Sequence, residues 1–522
     1  MVLHALSFGL VSSVLSSSAL ATTVSTALNI VNREVNLDGY TKSATLVNGT
    51  FPGPIISLNK GDRLEVNVTK GLTQSNGLDL VTTVHWHGID QLRSNWADGV
   101  ASVTQCPIIP GNSFVYNFTV PDQAGTFFYH SHYGGQMCDG LKGALIVRDP
   151  NDPLQYLYDV DDDSTVLSLS DWYHFPSQKM SGVPEFDSVL INGIGRYVDG
   201  PTDNALAVVN VKAGTRYRFR LISMSCLPNF VFSVDKHTLT IIEADGNSVI
   251  PHDVSSLQIF AGQRYSFVLN ANQPKDNYWI RAAPNSATNN STGDGLNSAI
   301  LNYEGVDVAD PSSLNTALNN RLVETDLHPL EASIVPDADL VIDLDFNFNT
   351  TSGLFTANNV SFSMENSMPT LLQILSGNQR AEDLLPSGSI YSLPRNQTIE
   401  LRMPARSGIE AKSGPHPLHL HGHSFWVVQS AGNATENTID PIMRDVVASA
   451  VDANDSTSVV KIRFRTDNPG PWIFHCHIDW HLANGFGVVF AEDSASVADE
   501  VVPSPGWNQI CPAYNTFIKE GK

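Results

Sequence analysis

Methionine and basic side chains are the scarce components of this chain. Of 522 residues, eight are methionine and 30 are lysine or arginine, against 53 aspartates and glutamates. The resulting net charge of −23 argues against nucleic acid or an anionic membrane surface as a partner, since phosphate would be repelled. Long apolar runs are also missing. Beyond the N-terminus there is no stretch of eighteen apolar residues, so no membrane span is expected. Cysteine is limited to Cys106, Cys138, Cys226, Cys476 and Cys511. An odd number suits two disulfides and one thiol with another task. Only Cys476 lies between two histidines, which nominates it, and the pairing of the other four stays open.

The first residues, Met1 to Ala21, carry no acidic or basic side chain, have an apolar middle, and end in Ala19-Leu20-Ala21. That resembles a secretory signal with a small-residue cleavage site, without the usual basic start. Asn-x-Ser/Thr sequons at Asn48, Asn67, Asn117, Asn289, Asn290, Asn349, Asn359, Asn396, Asn433 and Asn454 fit the same route. A secreted, extracellular protein is expected.

The length calls for two or three domains. Stretches such as Leu64–Val68, Tyr217–Leu221 and Val459–Phe464 alternate apolar and polar residues between Gly/Pro/Asn turns. They read as strands of all-β sandwiches or barrels, with little helix.

Histidine is the informative residue. The sixteen in this chain should give roughly 0.5 His-x-His pairs by chance, yet five occur, at 85/87, 130/132, 419/421, 421/423 and 475/477. They also repeat. His85-Trp86-His87-Gly88 matches His419-Leu420-His421-Gly422, and the run from Gly125 to His130-Ser131-His132 matches that from Gly470 to His475-Cys476-His477. Between these copies, Ala261–Val268 and Asn277–Arg281 look like the same strand pair without histidines. Three β-domains are expected over 22–152, 153–321 and 322–522. The outer two would hold metal, and the middle one would be a spacer that shapes the surface.

Residues two apart on a strand share a face. Four His-x-His strands therefore offer eight imidazoles, enough for a three-metal cluster between the outer domains with positions open for O₂. By the same parity Cys476 faces away from the cluster, where it can join His416 and His481. One thiolate with two imidazoles is a blue-copper electron-transfer set, and beside an imidazole cluster it selects copper.

These segments resemble the four copper-binding signatures of multicopper oxidases, most closely those of basidiomycete fungal laccases: His85-x-His87-Gly, His130-x-His132, His416-Pro-Leu-His419-Leu-His421 and His475-Cys-His477-x₃-His481. The resemblance covers nearly the whole mature chain. It implies three consecutive cupredoxin-like Greek-key domains and four copper ions. Type 2 would be held by His85 and His419, type 3 by His87, His130, His477 and by His132, His421, His475, and type 1 by Cys476, His416, His481. It further implies disulfides Cys106–Cys511 and Cys138–Cys226, and proton delivery by Asp98 and Asp445. The substrates implied are phenolic or aromatic donors and O₂, and a monomer is expected. From the residues alone, Asp98 and Asp445 equally suit local hydrogen bonds at a turn and a strand end. Phe486, ten residues past Cys476, is a core aromatic or, by the family spacing, an axial neighbour that provides no ligand.

One departure concerns the donor pocket. Many fungal laccases place a carboxylate directly after the cysteine equivalent to Cys226, whereas this chain has Leu227, then Pro228-Asn229. A more apolar pocket follows, formed by Leu227, Asn229 and His481, with His481 as the electron entry point. His423, His4, His174, His237, His252 and His328 are expected to be non-ligands. Fe(II) or Cu(I) oxidation would call for carboxylates or methionines beside type 1. Ascorbate oxidation would call for methionine in place of Phe486, and a non-catalytic storage protein would have lost ligands that are all present.

Overall fold

The computed structural model describes residues 21–72, 77–180, 182–285, 290–315, 319–363, 368–378, 380–386, 388–405, 415–449 and 458–521. The segment 1–20, with the signal-like stretch and His4, lies outside the described residues, as do Asn289 and Asn454.

Alternation in the sequence becomes alternation in space. Strand Arg63–Lys70 buries Leu64, Val66 and Val68 while Arg63 and Asn67 face solvent. Each third of the chain builds two main sheets, and in one of the two the same four-strand order recurs three times. In the first third, Gly53–Asn59 runs parallel to Lys142–Arg148, which pairs antiparallel with Gly125–His130 and through it with His85–His87. The last third repeats this with Ile390–Leu393, Gly487–Glu492, Gly470–Cys476 and Pro417–Leu420. The middle third does so with Val208–Val211, Ser298–Tyr303, Asn277–Pro284 and Phe230–Val234. The repeat seen in the histidine motifs is thus a repeat of whole sheets, and the middle copy keeps the sheet without the histidines.

The thirds share apolar cores. Ile473 and Val489 of the last third join a buried cluster with Trp86, Trp96 and Tyr129 of the first. Disulfide Cys138–Cys226 joins the first third to the middle one, and Cys106–Cys511 joins it to the C-terminal tail. The tail runs in a 13-residue helix, Trp507–Lys519, with Lys519, Glu520 and Gly521 exposed at its end. The helix buries Trp507, Ile510 and Cys511, and the indole N–H of Trp507 donates to the Thr104 carbonyl at 3.0 Å.

The Cys106–Cys511 bond closes a loop of 405 residues, so it strongly restricts the unfolded chain. Cys511→Ser is expected to cost about 2–5 kcal/mol of stability. Guanidinium unfolding of both proteins checks this, and an unchanged midpoint would show that the helix holds without the bond.

Candidate metal centre

Register decides where the imidazoles meet. His85 lies opposite His130 in one strand pair, and His419 lies opposite His475 in the other. Each outer third therefore presents the same cross-strand pair. Only His85–His87 lies wholly on a strand, because His132, His421 and His477 fall just past the strand ends. Period-two alternation accounts for the first pair, and the other three reach the same place where the chain leaves its strand.

The two sets interlock. His85 stacks on His421 with ring centroids 3.9 Å apart, and His87 stacks on His419 at 3.8 Å. A glycine follows both pairs for a steric reason. Gly422 has φ +71°, and a Cβ there would lie 2.5 Å from the Trp472 ring.

All eight rings are buried. Burial first, then neighbouring imidazoles, holds His87, His130, His132, His419, His421 and His477 well below the usual histidine range. Burial also brings His475 down to about 3. These rings are neutral at neutral pH, which is the ligating state of imidazole.

Hydrogen bonds then sort the two nitrogens of each ring. The Nδ1 atoms of His85, His130, His419 and His475 donate to the carbonyls of Asp98, Ser131, Asp445 and Cys476 at 2.7–2.9 Å. The Nε2 atoms of His85, His130 and His419 are left buried with no hydrogen-bond partner among the described residues, although buried polar atoms are ordinarily paired. The Nε2 atoms of His421 and His475 face each other at 3.1 Å, and both rings already use Nδ1–H elsewhere. Two lone pairs at that distance repel unless a cation lies between them. The donor set fits a bound metal cluster.

Asp98 and Asp445 play matching parts. Asp98 accepts from His85 Nδ1 on its carbonyl and from His421 Nδ1 on its carboxylate, at 2.7 and 3.0 Å. Asp445 accepts from His419 Nδ1 on its carbonyl at 2.8 Å, and its carboxylate lies 3.3 Å from His87 Nε2. Each aspartate therefore makes the local bond expected of a turn or strand-end residue, and also reaches an imidazole of the other third. Such partners fix the tautomer and aim of a ligand. Burial raises both carboxyl groups, Asp445 to about 6.

Sequence reasoning missed Gly262 and Arg264, which correct the view of the middle third as a spacer. The Arg264 guanidinium forms a two-pronged pair with Asp445 at 2.6 and 2.7 Å and also donates to the Thr126 carbonyl at 2.9 Å. A Cβ on Gly262 would lie 2.9 Å from His477 and 3.0 Å from His87. Both residues stand in the stretch recognised as a repeat relic, and nothing in its local pattern marks them.

On the opposite side of Gly470–Cys476, the Cys476 sulfur lies 3.6 Å from Nδ1 of His416 and from Nδ1 of His481, which are 3.1 Å apart. Beside them the Phe486 ring is buried, 5.1 Å from the His416 ring, and offers no donor atom. His481 is fully buried, with the Phe355 ring 4.5 Å from its own. Its Nε2 has no hydrogen-bond partner among the described residues. Leu227 donates its backbone N–H to Asp171 at 3.0 Å, and the N–H of Asp479 donates to the Cys226 carbonyl at 3.2 Å. The 226–229 loop, with Asn229 buried in it, thus abuts the helix Asp479–Ala483 that carries His481.

The remaining described histidines lie elsewhere in the fold, four of them with polar partners. His423 lies 3.0 Å from Glu492, His174 2.9 Å from Asp38, His237 2.7 Å from the Tyr303 hydroxyl and His328 3.1 Å from Asp440. His252 sits in strand Asn247–Val254, opposite Ile241.

Three stretches of the chain, 29–152, 163–306 and 363–496, each match a multicopper oxidase family. The chain is 52% identical over 503 residues to Laccase-5 of Trametes villosa, with 94% of each covered. It is 52% identical over 506 residues to Laccase-1 of Fomitopsis schrenkii, covering 94% of this chain and 91% of that protein. A laccase crystal structure from Botrytis aclada aligns with a TM-score of 0.83 at 31% identity, covering 96% of this chain and 92% of that one. Fet3p, described as a multicopper oxidase that functions in iron import, aligns at 0.80 and 28% identity, covering 94% and 95%. With three family matches laid along one repeated sheet pattern, the chain belongs to the multicopper oxidase family and is built of three cupredoxin-like domains.

Proposed function

We propose that this protein is a secreted laccase, coupling one-electron oxidation of phenols and related aromatic donors to four-electron reduction of O₂ to water. The observation behind this is the segment His475-Cys476-His477, which links a thiol–imidazole donor set to an eight-imidazole set by backbone alone. In this reading Cys476, His416 and His481 hold type 1 copper. His85 and His419 hold type 2, while His87, His130, His477 and His132, His421, His475 hold the type 3 pair. When bound, copper supplies the one-electron couple and the place where O₂ is reduced.

The chain's own residues do the rest. His481 takes the electron from a donor seated by Leu227 and Asn229, and Cys476 passes it along the backbone to His475 and His477. Asp98 and Asp445 hold ligand rings from both outer domains and carry protons to the O₂ site. The domains run 22–152, 153–321 and 322–522, with no copper ligand in the middle one. Residues 1–21 direct secretion, and the mature protein acts as a monomer with neither nucleic acid nor membrane as partner.

Oxygen uptake with a methoxyphenol and with Fe(II) tests the proposal. Uptake should follow the phenol, whereas uptake sustained by Fe(II) alone would make the protein a metallo-oxidase.

Phe486 sets the oxidising strength of the type 1 site. A thioether there would donate electron density and favour the oxidised metal, whereas a phenyl ring donates nothing and excludes water. Phe486→Met is expected to lower the type 1 potential and slow oxidation of poor donors, with copper content unchanged. A redox titration of the blue band decides it, and an equal or higher potential in the variant would show that the side chain at 486 does not tune the site.

A further inference from the structure

Behind the helix Asp479–Ala483 lies a phenol that the proposed reaction does not use. Tyr173 is 1% exposed, and its hydroxyl donates to the Asp171 carboxylate at 2.7 Å. The same hydroxyl accepts the indole N–H of Trp480 at 3.1 Å, with the two ring centroids 5.4 Å apart. Trp480 directly precedes His481. Asp171 is fully buried and is fixed further by the backbone N–H groups of Cys226 and Leu227, at 2.8 and 3.0 Å.

On the other side, one peptide unit away, His174 stacks on Tyr40 at 3.9 Å with ring planes 11° apart. Tyr197 meets both of those rings edge-on. Tyr40 is 37% exposed. Two aromatic groups, Tyr173–Trp480 beside His481 and His174–Tyr40–Tyr197 at the surface, are therefore joined through the single peptide between Tyr173 and His174.

The chemistry of these groups is specific. Phenol and indole are among the most easily oxidised side chains. A neutral phenol gives up an electron readily only when its proton leaves too, because the radical cation is a strong acid. Burial keeps Tyr173 protonated by pushing its hydroxyl well above the usual tyrosine range, and Asp171 is a base already in hydrogen-bond contact. A purely structural Tyr173–Asp171 bond would steady the 226–229 loop, but it needs neither an indole on the hydroxyl nor an aromatic route to solvent.

We propose that Tyr173 and Trp480 form an internal electron donor to the type 1 site, used when O₂ is being reduced and no phenol occupies the pocket. Tyr173 loses one electron, which passes through Trp480 to the site formed by Cys476, His416 and His481. Its hydroxyl proton moves to Asp171, leaving a neutral tyrosyl radical beside a protonated carboxyl group. A phenolic donor at the surface returns the electron by way of Tyr40 and His174 and releases its own proton to solvent, while Asp171 hands its proton back to Tyr173. The net change is the same one-electron oxidation of a phenol that the pocket performs. The relay rests on the copper assignment proposed above.

The test uses the copper-loaded enzyme, reduced with one electron fewer than O₂ requires, mixed with O₂ without donor and freeze-quenched. Electron paramagnetic resonance should show a tyrosyl radical whose lines narrow when the tyrosines carry ring deuterium. The signal should vanish in Tyr173→Phe and largely vanish in Trp480→Phe, both with the blue band intact. A wild-type enzyme with full copper and blue colour but no radical overturns the relay, as does an undiminished radical in Tyr173→Phe. If that variant fails to fold or load copper, Trp480→Phe decides, because it leaves the Tyr173–Asp171 bond in place. An undiminished radical there sinks the pair, and loss supports it. Full copper without a blue band overturns the copper assignment instead, so the two failures are distinguishable.

Discussion

A protein carrying Cys476→Ser is expected to be colourless and inert toward phenols while keeping metal in its eight-imidazole cluster. Sulfur and oxygen differ here in softness and acidity. A thiol coordinated to copper is deprotonated and gives the strong thiolate bond that colours a blue-copper site, whereas a serine hydroxyl is a poor ligand for it. Shape is nearly conserved, so the buried strand Gly470–Cys476 should fold as before. The sulfur points away from the cluster, toward Nδ1 of His416 and of His481 at 3.6 Å. No cluster ring loses a contact, since His475 donates to the backbone carbonyl of residue 476, which the substitution keeps. Metal analysis should fall by one ion per chain, with the blue absorption absent and phenol turnover at background. If the variant keeps its colour, the thiolate belongs elsewhere. Loss of all metal would mean that Cys476 organises the cluster as well.

Legibility followed how local each constraint is. The eight imidazoles of the cluster come in His-x-His pairs, so all four pairs stand out along the chain. The kinship of the outer thirds was readable for the same reason, because His-x-His-Gly and the run from a glycine to the second His-x-His recur in both. Contacts that cross the repeat were not readable. Asp98 holds His421, and Arg264 holds Asp445, across 323 and 181 residues of chain. No spacing rule connects such positions, since they are brought together only when the three sheets pack. The C-terminal helix escaped notice because Pro512 and the polar residues Asn508, Gln509 and Asn515 dilute its apolar face. Burial of His481 was likewise hidden, since Phe355 covers it from a hairpin far away in sequence.

The second large effect is expected at Arg264, which touches no ligand position. Its guanidinium is fully buried and binds all three domains: Thr126 in the first, the Gly262 carbonyl in the middle one and Asp445 in the last. Arg264→Met keeps the bulk but leaves the Asp445 carboxylate buried without its main counter-charge. Breaking a buried pair from one side costs about 3–5 kcal/mol. Asp445 also faces Nε2 of His87 and accepts from His419 through its carbonyl, so any shift of this residue misaims a ring from each outer domain. Loss of such a supporting contact weakens metal binding by roughly 10–100-fold. The double variant Arg264→Met/Asp445→Leu separates the two effects, because it removes the stranded charge but not the need to orient His87. Denaturant unfolding should show most of the stability regained in the double variant, while copper retention against a chelator stays poor. If both variants lose the same stability, the stranded carboxylate is not the cause. If the single variant holds copper as tightly as the wild type, the middle domain's arginine does not support the cluster.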